Sequence, residues 1–376
     1  MQIAIVGCGF VADFYINTLR DYPNLTVVGV MDCNPDRAAQ FGAYHNLPIY
    51  PTLSDLLGDS RVELVLNLTN PRSHFEVSQA CLEAGKHVYS EKPLAMTFQD
   101  AQTLFHLAQA KNLLLSCAPC NLLSETAQTL WKALREQVVG TVRLVYAEMD
   151  DGLLHTMPYR QWKSSSGTPW PAKDEFEVGC TIEHAAYYVT WLAAFFGPVT
   201  SLTAFASCQV ADKQTDLPLE PSHTPDFSVA CLQFANGVVA RLTCSIVAPH
   251  DHKLQIIGDG GILSTRDCWF YNTPVVVRRS LTLRRKTFLS PLARQYPLVR
   301  SSQRRQKIKK GQQMDYARGV AELAEAIQHQ RPCRLSAEFV LHVNEVVLAI
   351  QNATSGLTYQ PTTTFAPIDP MPWALE

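Results

Sequence analysis

Between Ile3–Val6, an apolar run, and Ala12–Arg20, a helical pattern, stands Gly7–Cys8–Gly9–Phe10–Val11–Ala12. Gly7 suits a tight turn, Gly9 lets main-chain N–H groups approach an anion, and Ala12 allows a helix to pack closely on a strand. With Phe10 and Val11 completing the turn, a helix N-terminus faces the anion, and a pyrophosphate is the expected occupant. Asp32 ends the second apolar run, where a carboxylate accepts hydrogen bonds from ribose hydroxyls and repels a 2′-phosphate. Asp32 therefore favours NAD, while Arg37, a turn later, leaves NADP open.

A second group follows. Asn70, Pro71 and His74 lie in Leu68–His74, leaving the next long strand where a dinucleotide fold lines its crevice. The run Gly85–Pro93 then ends a buried strand in Glu91, Lys92 and Pro93. An ammonium at that strand end can donate a hydrogen bond to a carbonyl about to accept hydride, or stabilise an alkoxide about to lose one. The blander alternative is a surface ion pair between Glu91 and Lys92, although neighbours in a strand point to opposite faces.

A Gly-Lys-His-Val strand ending in Glu-Lys-Pro, after a GxGxxA turn and an x-Pro-x-x-His segment, resembles the Gfo/Idh/MocA family of oxidoreductases. Gly140 ahead of a long strand and the Leu335–Glu338 helix start extend the resemblance over nearly the whole chain. It implies a Rossmann domain paired with an α/β substrate domain, and hydride transfer between NAD(P) and a hydroxyl or keto carbon. The usual substrates are sugars, cyclitols or nucleotide-linked sugars. The resemblance places Lys92 beside the nicotinamide and the reacting oxygen, and Glu91 with it. The family's Asp-x-x-x-His helix is altered here: Glu183 falls on the aspartate position and Tyr187 on the histidine position. Some sugar ketoreductases similar to this family carry tyrosine there.

The i, i+4 spacing puts Glu183 and Tyr187 on one helix face. A phenol can take and give a proton if a nearby ammonium, here Lys92, favours its phenolate. Lys92 and Tyr187 are the expected catalytic pair, although Tyr187–Tyr188 also reads as packing aromatics. Glu183 and His184 are expected to hold substrate, with His184 alternatively a core residue of the apolar run it opens. The polar, aromatic segment from Asp150 to Glu183 suits polyol recognition, and Trp170 is its candidate sugar-facing ring.

The elements that must position these groups change character along the chain. Up to about residue 120, Ile3–Val6, Leu25–Met31, Val62–Leu68, His87–Tyr89 and Leu113–Cys117 read as continuous apolar strands. Helical patterns alternate with them at Ala12–Arg20, Pro35–Ala43, Leu53–Leu57, His74–Ala84 and Phe98–Ala110, the last capped by Thr97. This predicts an α/β domain, a doubly wound Rossmann parallel sheet, over residues 1–120. After one further helix, Ser124–Glu136, the strands alternate with period two, as in Ala240–Ile246. Asn236–Gly237 predicts a type I′ hairpin. Residues 121–376 are thus expected to form a substrate-binding α+β domain on a large, mostly antiparallel sheet, closed by helices at Asp315–Gln328 and Ala337–Asn352.

Composition bounds the rest. The 376 residues are 47% hydrophobic with a net charge of −2, so nothing draws the chain as a whole to nucleic acid. No run approaches the roughly 18 apolar residues of a membrane span. The eleven cysteines are irregularly spaced, and Cys117–Ala118–Pro119–Cys120 has no second ligand pair behind it. Free thiols in a reducing compartment are expected, with no metal site and a cytoplasmic location. Twelve Lys or Arg and no acid lie between Arg278 and Lys310. That block reads mainly as a solvated insertion, with an anionic substrate tail, an acidic partner or an anionic surface as alternatives. The combined expectation is an NAD(P)-dependent oxidoreductase of a keto or hydroxyl carbon on a sugar or nucleotide-linked sugar, working as a homo-oligomer. The alternatives are a dehydrogenase of a free sugar or cyclitol, and a non-catalytic dinucleotide-binding homologue.

Overall fold

A computed structural model describes residues 1–300, 314–353 and 356–375. Its first sheet is parallel, with β1 (Gln2–Val6), β2 (Thr26–Met31), β3 (Leu64–Asn67), β4 (His87–Ser90) and β5 (Leu115–Cys117) in the order β2-β1-β3-β4-β5. The Val, Ile and Leu runs form strands here because helices cover both faces, so β3 is buried along its whole length. The helices are α1 (Ala12–Leu19), α2 (Pro35–His45), α3 (Leu53–Gly58), α4 (His74–Glu83) and α5 (Phe98–Ala110). The Thr97 side chain accepts the Asp100 N–H, and Asn34 and Thr52 cap α2 and α3 in the same way.

The chain continues with α6 (Glu125–Arg135), β6 (Val142–Asp150) and α7 (Ala172–Val178). A π-helical turn, Thr181–Ala185, then runs into α8 (Ala186–Phe196). Next come β7 (Val199–Ser207), β8 (Phe227–Phe234), β9 (Val239–Ser245), β10 (Leu254–Gly258), β11 (Gly261–Thr265), β12 (Val275–Leu283), β13 (Lys286–Leu289) and β14 (Arg294–Tyr296). The last elements are α9 (Ala317–Gln328), α10 (Ala337–Gln351) and β15 (Thr358–Tyr359). The second sheet runs β13-β12-β11-β10-β6-β9-β8-β7-β15, with β14 beside β12. Only its β6–β9 pairing is parallel among the described residues. Alternating burial along β8 and β9 gives this sheet its wet face.

The β8–β9 connection corrects the expected type I′ turn. Gly237 has φ +86° but Asn236 does not enter the left-handed region, and type I′ needs both. Asn236 Oδ1 accepts the Val238 N–H at 3.1 Å, while the Gly237 N–H donates to Phe234 O at 2.9 Å. The local side-chain bond holds Asn236 in ordinary backbone, and the loop widens to end on Gly237 alone.

Helices α9 and α10 reach back to the first sheet. The Ala317 N–H donates to Thr18 Oγ1 at 3.0 Å, and Asn344 accepts from Leu94 N–H at 2.9 Å while donating to Ala95 O at 3.2 Å. Segments from the far end of the sequence thus seal the domain begun at its start. Arg284, Arg285 and Lys286 are exposed on the β12–β13 hairpin, and none of the described basic residues from Arg278 to Arg300 lines the cleft described below. Arg304, Arg305, Lys307, Lys309 and Lys310 lie outside the described residues. No helix among the described residues is long and apolar enough to cross a membrane. All eleven cysteines are free, Cys117 and Cys120 both buried.

His342 on α10 ties helix to sheet in a way that sets a pH limit. Its Nε2 accepts the Val199 N–H at 3.0 Å, and its Nδ1 faces Thr363 Oγ1 at 3.0 Å. Burial, opposed by Glu345, pushes its pKa down to about 4. The unfolded chain therefore binds the extra proton between pH 6.5 and 4, and stability is lost as pH falls through that window. This group alone should remove about 3 kcal/mol between pH 6.5 and 4, seen in urea unfolding. His342→Gln should abolish that part of the pH dependence, and an unchanged profile would contradict the assignment.

Candidate active site

One cleft of about 1350 Å³ runs between the two sheets, and the fourteen residues singled out from the sequence all line it. At its nucleotide end Gly7 has φ +98°, and a Cβ there would stand 2.5 Å from the main chain of Leu68. Gly9 is different, since a Cβ there would meet nothing within 4 Å and would project into the cleft. That open cradle, at a helix N-terminus flanked by Phe10 and Val11, fits a dinucleotide pyrophosphate. Asp32 closes the end of β2. Its Oδ2 accepts the Cys8 N–H and its Oδ1 the Asn34 N–H, both at 2.8 Å, with Arg37 Nη1 3.7 Å from Oδ2.

The loop after β3 forms the next wall. Asn70 caps a short turn at Pro71–Ser73 by accepting the Ser73 N–H at 3.2 Å. His74 is fully buried, with Nδ1 2.6 Å from Pro93 O and Nε2 3.1 Å from Thr69 O. Its imidazole ties the nucleotide wall to the Glu91–Pro93 segment. Glu91 likewise braces the wall, accepting the Tyr15 hydroxyl at 2.6 Å and the Lys92 N–H at 3.0 Å.

Lys92 does not pair with its neighbour Glu91. It crosses the cleft and bonds Glu183 on the π-helical turn. Burial opposes its charge, but Glu183, Glu175 and Glu91 outweigh that and hold its pKa above the ordinary lysine value. Tyr187 stands one turn further on, and its hydroxyl makes no hydrogen bond among the described residues. Burial, with the nearby Tyr316 and Glu91, pushes its pKa well above 10. The ammonium is held by Glu183, and burial favours the neutral phenol at Tyr187. The wider π turn brings Glu183, His184 and Tyr187 all to the cleft. His184 is buried in the cleft wall, with Nε2 3.8 Å from Asp151 Oδ2.

Opposite them Trp170 lies half-buried in an aromatic group with Trp162, Tyr159 and Phe176, at 5.2–6.0 Å between ring centroids. Glu175 on α7 escaped the sequence reading. Burial and repulsion from Glu183 push its pKa well up, against the pull of Lys92. The Trp170-Pro171 start of α7 was the available signal, but nothing in the spacing aims Glu175 at Lys92. Together the groups offer the Lys92 ammonium, the Tyr187 phenol and the carboxyl groups of Glu183 and Glu175 around a space open to the nucleotide end. Such a set suits proton transfer to or from an oxygen on a carbon exchanging hydride.

A model of an oxidoreductase family with an NAD-binding Rossmann fold matches residues 1–118, and one of the GFO/IDH/MocA C-terminal domain matches residues 127–264. The mouse trans-1,2-dihydrobenzene-1,2-diol dehydrogenase is 24% identical over 306 residues, covering 80% of this chain and 84% of that protein. The fold is similar to that of KijD10, a 3-ketoreductase from Actinomadura kijaniata in complex with NADP and TDP-benzene. There the TM-score is 0.73 at 20% identity, over 94% of this chain and 98% of that one. UDP-N-acetylglucosamine 3-dehydrogenase from Acidithiobacillus ferrooxidans gives a TM-score of 0.69 at 20% identity, over 94% and 97%.

Proposed function

The chain belongs to the Gfo/Idh/MocA family of NAD(P)-binding oxidoreductases, and on that premise we propose that it reduces a keto carbon of a sugar, nucleotide-linked sugars foremost. The observation that carries this reading is the single cleft in which Lys92 and Tyr187 stand with Glu183 and Glu175, continuous with the Gly7–Ala12 turn. The nicotinamide supplies the hydride when bound. Gly7, Gly9, Phe10, Val11, Asp32, Asn70 and Pro71 hold the dinucleotide, and His74 and Glu91 fix the segment that carries Lys92. The Lys92 ammonium stabilises negative charge on the substrate oxygen, and Tyr187 gives that oxygen its proton. Glu183 orients Lys92, His184 and Glu175 bind hydroxyls, and Trp170 lies under an apolar sugar face. Oxidation of a free sugar, cyclitol or vicinal diol is the second reading, favoured by the similarity to the mouse diol dehydrogenase over 80% of this chain.

Steady-state turnover on nucleotide-linked keto sugars, free aldoses, cyclitols and trans-diols separates these readings. The first expects NADH oxidation on a keto sugar at higher kcat/KM than any NAD+ reduction by a polyol or diol. Binding of NADH with no turnover on any of them would favour the non-catalytic homologue. NADH is expected to bind at least tenfold more tightly than NADPH, because a 2′-phosphate would face the Asp32 carboxylate. Asp32→Ala should weaken NADH and erase that preference. Equal or tighter NADPH binding by the unaltered protein would overturn the NAD assignment.

A further inference from the structure

A second cluster of ligating side chains lies on the substrate side of the cleft, in residues to which the proposed hydride chemistry gives no role. Asp151 follows β6, His250 and His252 precede β10, and Asp267 follows β11. These strands are neighbours in the sheet, so three separate segments converge. His250 Nδ1 is 3.7 Å and His252 Nε2 3.6 Å from the same oxygen, Asp151 Oδ1. These lengths are too long for hydrogen bonds and too short for unrelated groups. Ligands at 2.0–2.1 Å from a tetrahedral zinc ion stand about 3.4 Å apart, within a few tenths of the spacing found.

His252 provides an independent pointer. It is 1% exposed, and neither of its ring nitrogens has a hydrogen-bond partner. A buried imidazole with both nitrogens unbonded is costly unless something else engages it. The outer nitrogens of both histidines face one carboxylate: Asp267 Oδ2 lies 3.7 Å from His250 Nε2 and 3.8 Å from His252 Nδ1. That is the arrangement in which a carboxylate sets the tautomer of metal-bound imidazoles. Asp267 is itself held through Oδ1, which accepts the Trp269 N–H at 2.6 Å and the Phe270 N–H at 3.3 Å. The Tyr188 hydroxyl bonds the His252 carbonyl, and the Asp151 N–H donates to Ser245 O at 2.8 Å.

We propose that Asp151, His250 and His252 bind a divalent transition-metal ion, zinc fitting best, with Asp267 orienting both histidines. Two imidazoles and one carboxylate are a donor set for zinc rather than for calcium or magnesium, which take oxygen. Asp151 and His250 line the cleft, so a fourth position faces the space beside His184 and Trp269. A substrate hydroxyl or carbonyl oxygen could complete the coordination there. The sequence reading expected no metal because it weighed only the Cys117–Cys120 pair.

Metal uptake tests this without reference to turnover, so its outcome is separate from that of the proposed reductase activity. Chelator-treated full-length protein is titrated with Co2+ and Zn2+, read by visible absorption and by metal content after equilibrium dialysis. One ion per chain is expected, with the intense d–d bands of a four-coordinate Co2+ site that Zn2+ displaces. Asp151→Asn, His250→Gln and His252→Gln should each weaken uptake on the order of 100-fold or more, beyond the usual effect of an outer-shell change. Asp251→Asn, whose exposed carboxylate caps Lys253 N–H, should leave uptake unchanged. If His252→Gln fails to fold, His250→Gln decides, because that side chain is 53% exposed. No stoichiometric uptake, or uptake that survives both His250→Gln and Asp151→Asn, would overturn the site and leave a proton-sharing His–Asp cluster.

Discussion

Lys92→Ala is expected to lower kcat by about 10²–10⁴-fold while the dinucleotide still binds, the range typical of a positioned acid–base group. The expectation follows from where the ammonium sits. Lys92 ends β4 within the cleft, braced through Glu91 and Tyr15, and it keeps its charge because three carboxyl groups outweigh the cost of burial. Alanine removes the only cation that Glu183 contacts among the described residues, so alkoxide charge developing on the substrate has no counter-ion. Tyr187→Phe keeps the ring against Trp269, 5.7 Å between centroids, and removes only the hydroxyl. It should cost kcat a similar factor with KM nearly unchanged. If it is silent while His184→Asn abolishes turnover in folded protein, the proton donor is His184. If the Lys92 and Tyr187 variants both turn over normally, the chain does not use this pair at all. Steady-state kinetics paired with NADH fluorescence titration distinguishes these outcomes.

The second large effect is expected at Gly7, and its contrast with Gly9 is the informative part. Gly7 has φ +98°, and a Cβ there would lie 2.5 Å from both Leu68 C and Leu68 O, so strain and a main-chain clash add. Left-handed backbone costs a non-glycine residue about 1–3 kcal/mol and overpacking a similar amount. Gly7→Ala should therefore destabilise the protein by about 3 kcal/mol or more. Gly9→Ala meets no atom within 4 Å and should leave stability within about 0.5 kcal/mol. Its methyl instead enters the volume the pyrophosphate needs, so NADH affinity should fall at least tenfold. Urea unfolding with cofactor titration reads both. A Gly9 variant that is unstable yet binds normally would mean that the turn is structural and not a phosphate cradle.

What could be read directly were features carried by consecutive residues. The runs Ile3–Val6 and Val62–Leu68 are apolar because both their faces are covered, and they become β1 and β3 with ends moved by one or two residues. Thr97 caps α5 because its hydroxyl and the Asp100 N–H are three residues apart. The Gly7–Ala12 turn, Asp32 and Lys92 were visible for the same reason: each sits at a strand end, where local backbone geometry aims it at the crevice. The Asn236–Gly237 turn shows the limit even of local reading, since a side-chain bond reaching two residues along the chain selected a different loop.

The tertiary structure alone decided which distant residues meet. Lys92 pairs with Glu183, 91 positions away, and not with adjacent Glu91, because the segment after β4 lies opposite the π-helical turn and Glu91 is engaged by the Tyr15 hydroxyl. Glu175 has its raised pKa only because α7 brings it near Glu183 in a poorly solvated wall. Asp151, His250, His252 and Asp267 have no spacing in common, and they converge because β6, β10 and β11 lie side by side. Sequence periodicity sets which face of an element is apolar, whereas sheet order and the turns between strands set which faces come together. Binding and proton transfer depend on distances of a few ångströms between those faces, and those distances are fixed only when both sheets and the helices between them have packed.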